Sequence, residues 1–135
     1  MLNKLATEHC KNVVLIDDDA GVLKALTLLL KVMGFEVAAF DLPQKAVEYI
    51  QDKTNTIHLV VSDLRMPVLD GIEVLKKVKA ENPNLPFLLI SGHATSDDVA
   101  QALSLGAQGF IGKPFNTAEF ERVFTTINFL DSAGK

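Results

Sequence analysis

The chain has 135 residues, of which 48% are hydrophobic, and its mean hydropathy is +0.23. This length and composition suit one compact domain with an apolar core, and they exclude a disordered chain and a second full domain. The net charge is −4 and the 13 basic residues are spread along the chain, so no nucleic-acid-binding surface is predicted.

The sequence also carries signals about its cellular location. No apolar stretch reaches the length of a membrane span, and residues 1–10 lack the sustained apolar run of a signal peptide. Cys10 is the only cysteine, so an internal disulfide is excluded and a reducing compartment is expected. We expect a cytoplasmic protein with an N-terminal extension over 1–10, one domain over 11–130 and a polar tail over 131–135.

Short apolar segments rich in β-branched residues alternate along the chain with longer segments whose apolar residues recur at helical spacing. The short segments predict five strands, at residues 13–16, 36–40, 57–62, 87–90 and 108–111. The alternation of strand and helix is typical of repeated strand and helix units.

Helical periodicity predicts one helix after each strand. Gly34 is predicted to end the first helix in the left-handed conformation, and Pro43 lies near the start of the second. The turn at 70–71 precedes the third. The predicted buried faces are Val22, Ala25, Leu26, Leu29 and Met33; Ala46, Tyr49 and Ile50; Val74, Leu75 and Val78; Val99, Ala102 and Leu103; and Phe120, Val123, Phe124 and Ile127.

Capping residues mark the ends of the last two helices. Ser96 or Asp97 is predicted to cap the fourth helix, and Gly106 is predicted to end it. Asn116 with Glu119 three residues later predicts a capped start for the fifth helix.

The connections between the strands predict how the strands pair. A crossover through a helix returns the chain to the same end of the sheet, so the strands are expected to be parallel. The expected fold is α/β, a doubly wound sheet of five parallel strands with helices on both faces. In such sheets a site forms beyond the carboxyl ends of the strands, where the strand order reverses.

Candidate site residues follow four of the five predicted strands. Three aspartates at 17–19 follow the first strand, and Asp63, Ser91 and Lys113 follow the third, fourth and fifth. Carboxylates brought together repel one another unless a divalent cation supplies the missing charge. Oxygen ligands without histidine or thiolate favour Mg²⁺.

The same residue types suit phosphoryl transfer. A phosphoryl group in transit carries negative charge, which a metal ion and an ammonium group such as that of Lys113 can neutralise. An aspartate is a competent nucleophile for forming an aspartyl phosphate, and Ser91 could donate a hydrogen bond to the phosphoryl oxygens.

Five motifs in chain order resemble those of the receiver domains of two-component response regulators. They are Ile16-Asp17-Asp18-Asp19, Val61-Ser62-Asp63-Leu64-Arg65-Met66-Pro67, Asp70-Gly71, Ile90-Ser91-Gly92-His93 and Gly112-Lys113-Pro114-Phe115. The likeness covers residues 12–129. It implies a flavodoxin-like sheet of order 2-1-3-4-5, and a receiver domain at 11–130 that is a signalling switch and catalyses only its own phosphoryl transfer and dephosphorylation.

The resemblance implies a role for each matched residue. It makes Asp63 the phosphoacceptor and Lys113 the cation that pairs with the phosphoryl group. The Mg²⁺ ligands that it implies are the side chains of Asp17, Asp18 and Asp63 and the backbone carbonyl of Arg65.

The resemblance also implies a conformational switch. A cis peptide is expected before Pro114. Ser91 takes the position of the switch hydroxyl, and Phe110 that of an aromatic side chain that turns inward on activation and changes the face of the fourth helix, last strand and final helix. Two simpler interpretations stay open, because Ser91 can bond to its own loop backbone and Phe110 can be ordinary core.

The partners follow from the same resemblance. The phosphoryl donor would be a sensor histidine kinase or a histidine phosphotransfer protein. The signal would pass to an unknown target protein or output domain, without direct contact with nucleic acid or a membrane, and a phosphorylation-dependent homodimer is compatible with this scheme.

Three rival functions remain at this stage. A phosphatase of the haloacid dehalogenase type would use the Asp-x-Asp pair of Asp17 and Asp19, with Asp17 as the nucleophile and with Ser91 and Lys113 as helpers, although that fold normally needs a longer chain. A flavin or nucleotide binder of the same topology lacks a glycine-rich loop after the first strand. The third rival is an interaction module that is never phosphorylated.

Overall fold

The structure, a computed structural model, describes residues 12–127. The predicted extension over 1–10 and the tail over 131–135 lie outside these residues. No helix in the described part combines the length and the apolar character that a membrane span requires. The elements in chain order are β1 Asn12–Ile16, α1 Ala20–Val32, β2 Glu36–Phe40, α2 Pro43–Gln51, β3 Leu59–Asp63, α3 Gly71–Glu81, β4 Phe87–Ser91, α4 Ser96–Ser104, β5 Gly109–Gly112 and α5 Thr117–Thr126.

The strands form one parallel sheet of order β2-β1-β3-β4-β5, which confirms the predicted fold. The strand order reverses at β1, which pairs with β2 on one side and with β3 on the other. Ile16 pairs with Ser62 in this register. Asp17 directly follows Ile16 and Asp63 directly follows Ser62, so the two aspartates lie at the same edge of the sheet.

Two apolar cores cover the faces of the sheet. On one face α1 and α5 contribute Leu26, Leu30, Phe120 and Phe124, and on the other α2, α3 and α4 contribute Ala46, Ile50, Val74, Leu75 and Ala102. Every residue of β3 and β4 is buried, which explains their continuous apolar runs. Phe120 packs edge-on against Phe115 and Phe124, each at a centroid distance of 5.7 Å, so the segment just before α5 is packed against that helix.

The predicted buried faces of two helices need correction. On α1, Ala25 is exposed, whereas Leu30 is fully buried one turn after Leu26. Ala25 lies at the margin of the stripe that these leucines form. On α4, Leu103 is 51% exposed and Ala102 is the buried residue, because this short helix presents only a narrow stripe to the sheet.

The ends of the elements also differ in places from the prediction. β3 begins at Leu59, two residues later than expected, and it includes Asp63. Thr95, and not Ser96 or Asp97, caps α4, because the Thr95 hydroxyl accepts a hydrogen bond from the backbone N–H of Asp98 at 3.0 Å. Gly34 has φ of 102°, which confirms its predicted left-handed conformation, and Gly106, predicted only to end α4, adopts the same conformation with φ of 104°.

Candidate functional site

Three carboxylates meet at the carboxyl ends of β1 and β3. Asp17 is fully buried, Asp63 is 7% exposed and Asp18 is exposed. One oxygen of each carboxylate lies within 4.8 Å of the others. The structure therefore brings together the three side chains that the resemblance implies as metal ligands.

The third aspartate of the run, Asp19, is the N-cap of α1. Its Oδ1 accepts hydrogen bonds from the backbone N–H groups of Gly21 at 2.9 Å and Val22 at 3.1 Å. The backbone N–H of Asp19 in turn donates to Asp17 Oδ1 at 2.9 Å. Asp19 thus satisfies two of the free N–H groups of the first helical turn.

Lys113, directly after β5, places its ammonium group between two of the acids. Its Nζ lies 3.2 Å from Asp17 Oδ2 and 3.2 Å from Asp63 Oδ1. Asp63 Oδ1 also accepts a hydrogen bond from the backbone N–H of Leu64 at 3.0 Å. The peptide bond between Lys113 and Pro114 is cis, as the resemblance implied.

The environment shifts the pKa values of Asp63 and Lys113. Burial raises the pKa of Asp63, and the neighbouring charge of Asp17 raises it further, although Lys113 partly offsets both effects. Burial by itself lowers the pKa of Lys113, but attraction by Asp17 and Asp63 outweighs it, so the pKa lies above its ordinary value. The positive charge of one ammonium group therefore does not fully offset the negative charge of the carboxylates.

The three clustered carboxylates form a set of donor atoms for a metal ion. The acid cluster offers three carboxylate oxygens close to one another, with no histidine or thiolate among them. Such a set suits a hard divalent cation, and the raised pKa of Asp63 indicates that more positive charge is needed there. The residues present therefore fit Mg²⁺.

The two predicted switch residues lie on β4 and β5. Ser91 ends β4 and is 7% exposed, and its hydroxyl oxygen accepts the backbone N–H of His93 at 3.1 Å. This is the bond to its own loop that we considered as the simpler interpretation. Phe110 is half-buried and packs against the core under α2, α3 and α4, so its switch role, like that of Ser91, stays a prediction.

Arg65 makes a contact that the sequence did not predict. Its guanidinium Nη2 lies 2.5 Å from Asp98 Oδ2, in the first turn of α4. The resemblance implies a role only for the backbone carbonyl of Arg65, as a metal ligand, and that role stays a prediction. Thr95 with an acid three residues later is a capping-box pattern, which could have placed Asp98 at the start of the helix.

The raised pKa of Asp63 predicts how the stability of the metal-free protein changes with pH. Below the ordinary value of 3.8, Asp63 is protonated in both the folded and the unfolded state. Above that pH the unfolded chain loses its proton first, because the pKa of Asp63 is higher in the folded state. The stability that protonated Asp63 contributes to the folded protein is then lost as the pH rises through the folded-state pKa. Asp63→Asn should therefore stabilise the protein more at about pH 7 than at about pH 4, as measured by urea unfolding. A pH-independent difference between the two proteins would contradict this assignment.

Comparison with known proteins extends these observations. Residues 13–125 match the family described as the response regulator receiver domain. The transcriptional regulatory protein FixJ of Bradyrhizobium diazoefficiens is 40% identical over 104 residues, which are 77% of this chain and 50% of that protein. The C4-dicarboxylate transport transcriptional regulatory protein DctD of Rhizobium meliloti is 38% identical over 104 residues, which are 77% of this chain and 22% of that protein.

The chain thus spans half or less of the length of these curated relatives. Among solved structures, the CheX-CheY-BeF₃-Mg²⁺ complex from Borrelia burgdorferi contains a similar chain with a TM-score of 0.82 and 27% identity. That match covers 87% of this chain and 89% of the other. The protein therefore belongs to the family of receiver domains of two-component response regulators.

Proposed function

We propose that this chain is a phosphorylatable switch of a two-component phosphorelay, and that Asp63 accepts the phosphoryl group with Mg²⁺ bound. The observation that carries the proposal is the position of the Lys113 ammonium group, 3.2 Å from both Asp17 and Asp63, beside a cluster of three carboxylates. This arrangement combines a nucleophile with the charges that phosphoryl transfer requires.

Mg²⁺ would be held by the side chains of Asp17, Asp18 and Asp63 and by the backbone carbonyl of Arg65. When bound, it supplies positive charge that offsets the negative charge of the phosphoryl group in transfer. The similar structure from Borrelia burgdorferi is of a complex that contains BeF₃ and Mg²⁺, which supports the same ion here.

The residues of the chain perform the remaining steps of the transfer. A carboxylate oxygen of Asp63 attacks the phosphorus atom of a phosphohistidine, a P–O bond forms, and the P–N bond breaks with its electron pair left on the imidazole nitrogen. Lys113 is already within hydrogen-bonding distance of Asp63, so its ammonium group can pair with the phosphoryl oxygens without a large movement. Water then releases phosphate from the acyl phosphate, which resets the switch.

The dependence on a divalent cation tests this function. We expect a small acyl phosphate to label the wild-type protein in the presence of Mg²⁺, and EDTA to reduce labelling at least about tenfold, because uncompensated carboxylates repel the anionic donor. Readdition of excess Mg²⁺ provides the control and should restore the label. Labelling that is equally fast in EDTA would contradict the proposed role of the ion.

The signal would leave through the face formed by α4, β5 and α5. Phosphoryl oxygens would draw the Ser91 hydroxyl inward, and Phe110 would move into the space that this residue vacates. The motivation is that Ser91 is buried at the end of β4 while Phe110 is half-buried on the adjoining strand.

Chemical shifts give a direct test of this switch. Addition of beryllofluoride and Mg²⁺ should change the backbone NMR shifts of residues 91–115, and the shifts of α2, on another part of the molecule, provide an internal reference. If the shifts of 91–115 stay the same although the ligand binds, the switch mechanism is wrong.

The partners are part of the proposal. The donor is a sensor histidine kinase or a histidine phosphotransfer protein, as membership of the receiver-domain family implies. The recipient of the signal is a target protein or an output domain, and the greater length of the relatives FixJ and DctD supports an output domain. A phosphorylation-dependent homodimer, the absence of direct nucleic-acid contact and a cytoplasmic location stay predictions.

A further inference from the structure

A single acidic oxygen joins two loops that leave the phosphorylation site. Asp98 Oδ2 accepts the Arg65 guanidinium at 2.5 Å and the backbone N–H of Thr95 at 2.9 Å. Thr95 Oγ1 accepts the backbone N–H of Asp98 at 3.0 Å in return. The first turn of α4 is therefore bonded to the loop after β3 as well as to its own cap.

These bonds close a ring around the site. Arg65 lies two residues after Asp63, and Thr95 lies four residues after Ser91. The strands that carry Asp63 and Ser91 are paired, since the backbone N–H of Leu64 donates to the carbonyl of Ile90 at 3.0 Å. A movement of Ser91 toward Asp63 would displace residues 92–95. Thr95, at the end of this segment, is bonded to Asp98, and Asp98 is bonded to Arg65.

We propose that the Arg65–Asp98 pair holds α4 in its unphosphorylated position, so that phosphorylation of Asp63 has to break the pair and its strength sets how readily the site accepts a phosphoryl group. The inference deepens the proposed function and rests on it. Arg65 and Asp98 are positioning residues, because neither side chain is required to contact the phosphoryl group.

The exposure of the two side chains allows the Arg65–Asp98 pair to break, and the fixed position of Asp98 allows the pair to contribute free energy. The Arg65 side chain is 58% exposed and that of Asp98 is 17% exposed, so water can replace either partner. Asp98 is fixed in place by the cap of α4, which reduces the entropy lost when the pair forms. The pKa of Asp98 lies below its ordinary value, chiefly because of the Thr95 backbone N–H and also because of Arg65, so the carboxylate stays ionised at neutral pH.

If the Arg65–Asp98 pair forms only in the unphosphorylated conformation, its free energy is added to the free-energy difference between that conformation and the phosphorylated one. The free energy of an exposed ion pair corresponds to a factor of up to about five in the affinity for a ligand that binds only the phosphorylated conformation. Removing the pair should therefore tighten the binding of a phosphoryl mimic by a small but measurable factor.

The test measures the apparent dissociation constant of beryllofluoride at saturating Mg²⁺, by NMR, for wild type, Arg65→Gln, Asp98→Asn and the double variant. We expect each single variant to bind about threefold more tightly, and the double variant no more tightly than either single one. Asparagine keeps an acceptor for Thr95, and Arg65→Gln leaves the α4 cap untouched. Raising the salt concentration should bring the dissociation constant of the wild type closer to those of the variants, because salt screens exposed charges.

The matched control is Arg122→Gln, which removes an arginine–carboxylate pair of 2.6 Å inside α5. That pair joins no two elements, so the dissociation constant should equal that of the wild type. Unchanged or weaker binding in Asp98→Asn or Arg65→Gln, or additive effects in the double variant, would overturn the inference. A wild-type protein that fails to bind beryllofluoride at all would instead overturn the proposed function, and the inference with it.

Discussion

Replacement of Asp63 by asparagine is expected to reduce labelling by an acyl phosphate to background. The amide has nearly the same shape as the carboxylate, but it is not a nucleophile for phosphorus and it removes one of the three clustered acids. The expected loss is therefore complete, and the folded structure should persist. Labelling is measured by intact-protein mass spectrometry, with unfolding in urea as a check that the variant is folded.

The matched control for this variant is Asp41→Asn. Asp41 follows β2 at the same edge of the sheet, and it is exposed and outside the acid cluster. Because the control makes the same chemical change without touching the three acids, it should label like the wild type. Residual labelling of Asp63→Asn at the wild-type rate would show that another residue is the acceptor.

Replacement of Gly71 by alanine is expected to cost about 3 kcal/mol of folding free energy. A Cβ atom there would lie 2.4 Å from the backbone oxygen of Asp63, 2.7 Å from Leu89 Cδ2 and 2.9 Å from Leu64 Cα. Asp63 is the last residue of β3 and Leu64 follows it directly, and because both are buried their backbone atoms cannot move aside without loss of packing. This cost exceeds the gain of up to about 1 kcal/mol that alanine brings to a helix.

The clash at residue 71 should also displace the proposed phosphorylation site. The backbone N–H of Gly71 donates to the carbonyl of Leu64 at 2.9 Å, so a displaced start of α3 moves the end of β3 and with it Asp63. We expect slower labelling in Gly71→Ala in addition to its lower stability in urea. Gly112→Ala is the control, since a Cβ atom there meets nothing within 4 Å, and its stability should change by less than about 0.5 kcal/mol. Equal urea midpoints for the two variants would contradict the predicted clash.

The geometry of the acids bears on the rival phosphatase interpretation. That mechanism needs Asp17, the first acid of the Asp-x-Asp pair with Asp19, to be free as the covalent nucleophile. Asp17 is fully buried and paired with Lys113, and Asp19 Oδ1 is bonded to the first turn of α1. Asp63 carries a raised pKa, caused first by burial and then by the charge of Asp17, and perturbed acids of this kind are common at functional sites.

The arrangement of the fold was predictable because it depends on patterns that are local in sequence. Buried parallel strands read as continuous apolar runs, and the aspartates that end two such runs had to meet once the strand order was known. Gly34 and Gly106 could be recognised because few other residues adopt a positive φ easily. The residues of the acid cluster can therefore be identified from the sequence without knowledge of the strand register.

Other features depend on tertiary packing and could not be predicted from the sequence. The pairing of Arg65 with Asp98 joins residues 33 positions apart, and neither residue signals the other locally. The burial of Leu30 in place of Ala25 depends on how α1 is rotated against the sheet. The tight approach of Gly71 to β3 likewise appears only when the two elements are packed, whereas its sequence context indicates an ordinary turn.

The central claim is that Asp63 is the residue that accepts the phosphoryl group, and the most direct test is to locate the label. The protein is treated with an acyl phosphate and Mg²⁺, the acyl phosphate is reduced with borohydride, and the peptides are mapped by mass spectrometry. We predict that reduction converts Asp63 alone to homoserine. Homoserine at position 17, with Asp63 unmodified, would contradict the assignment and favour the phosphatase mechanism.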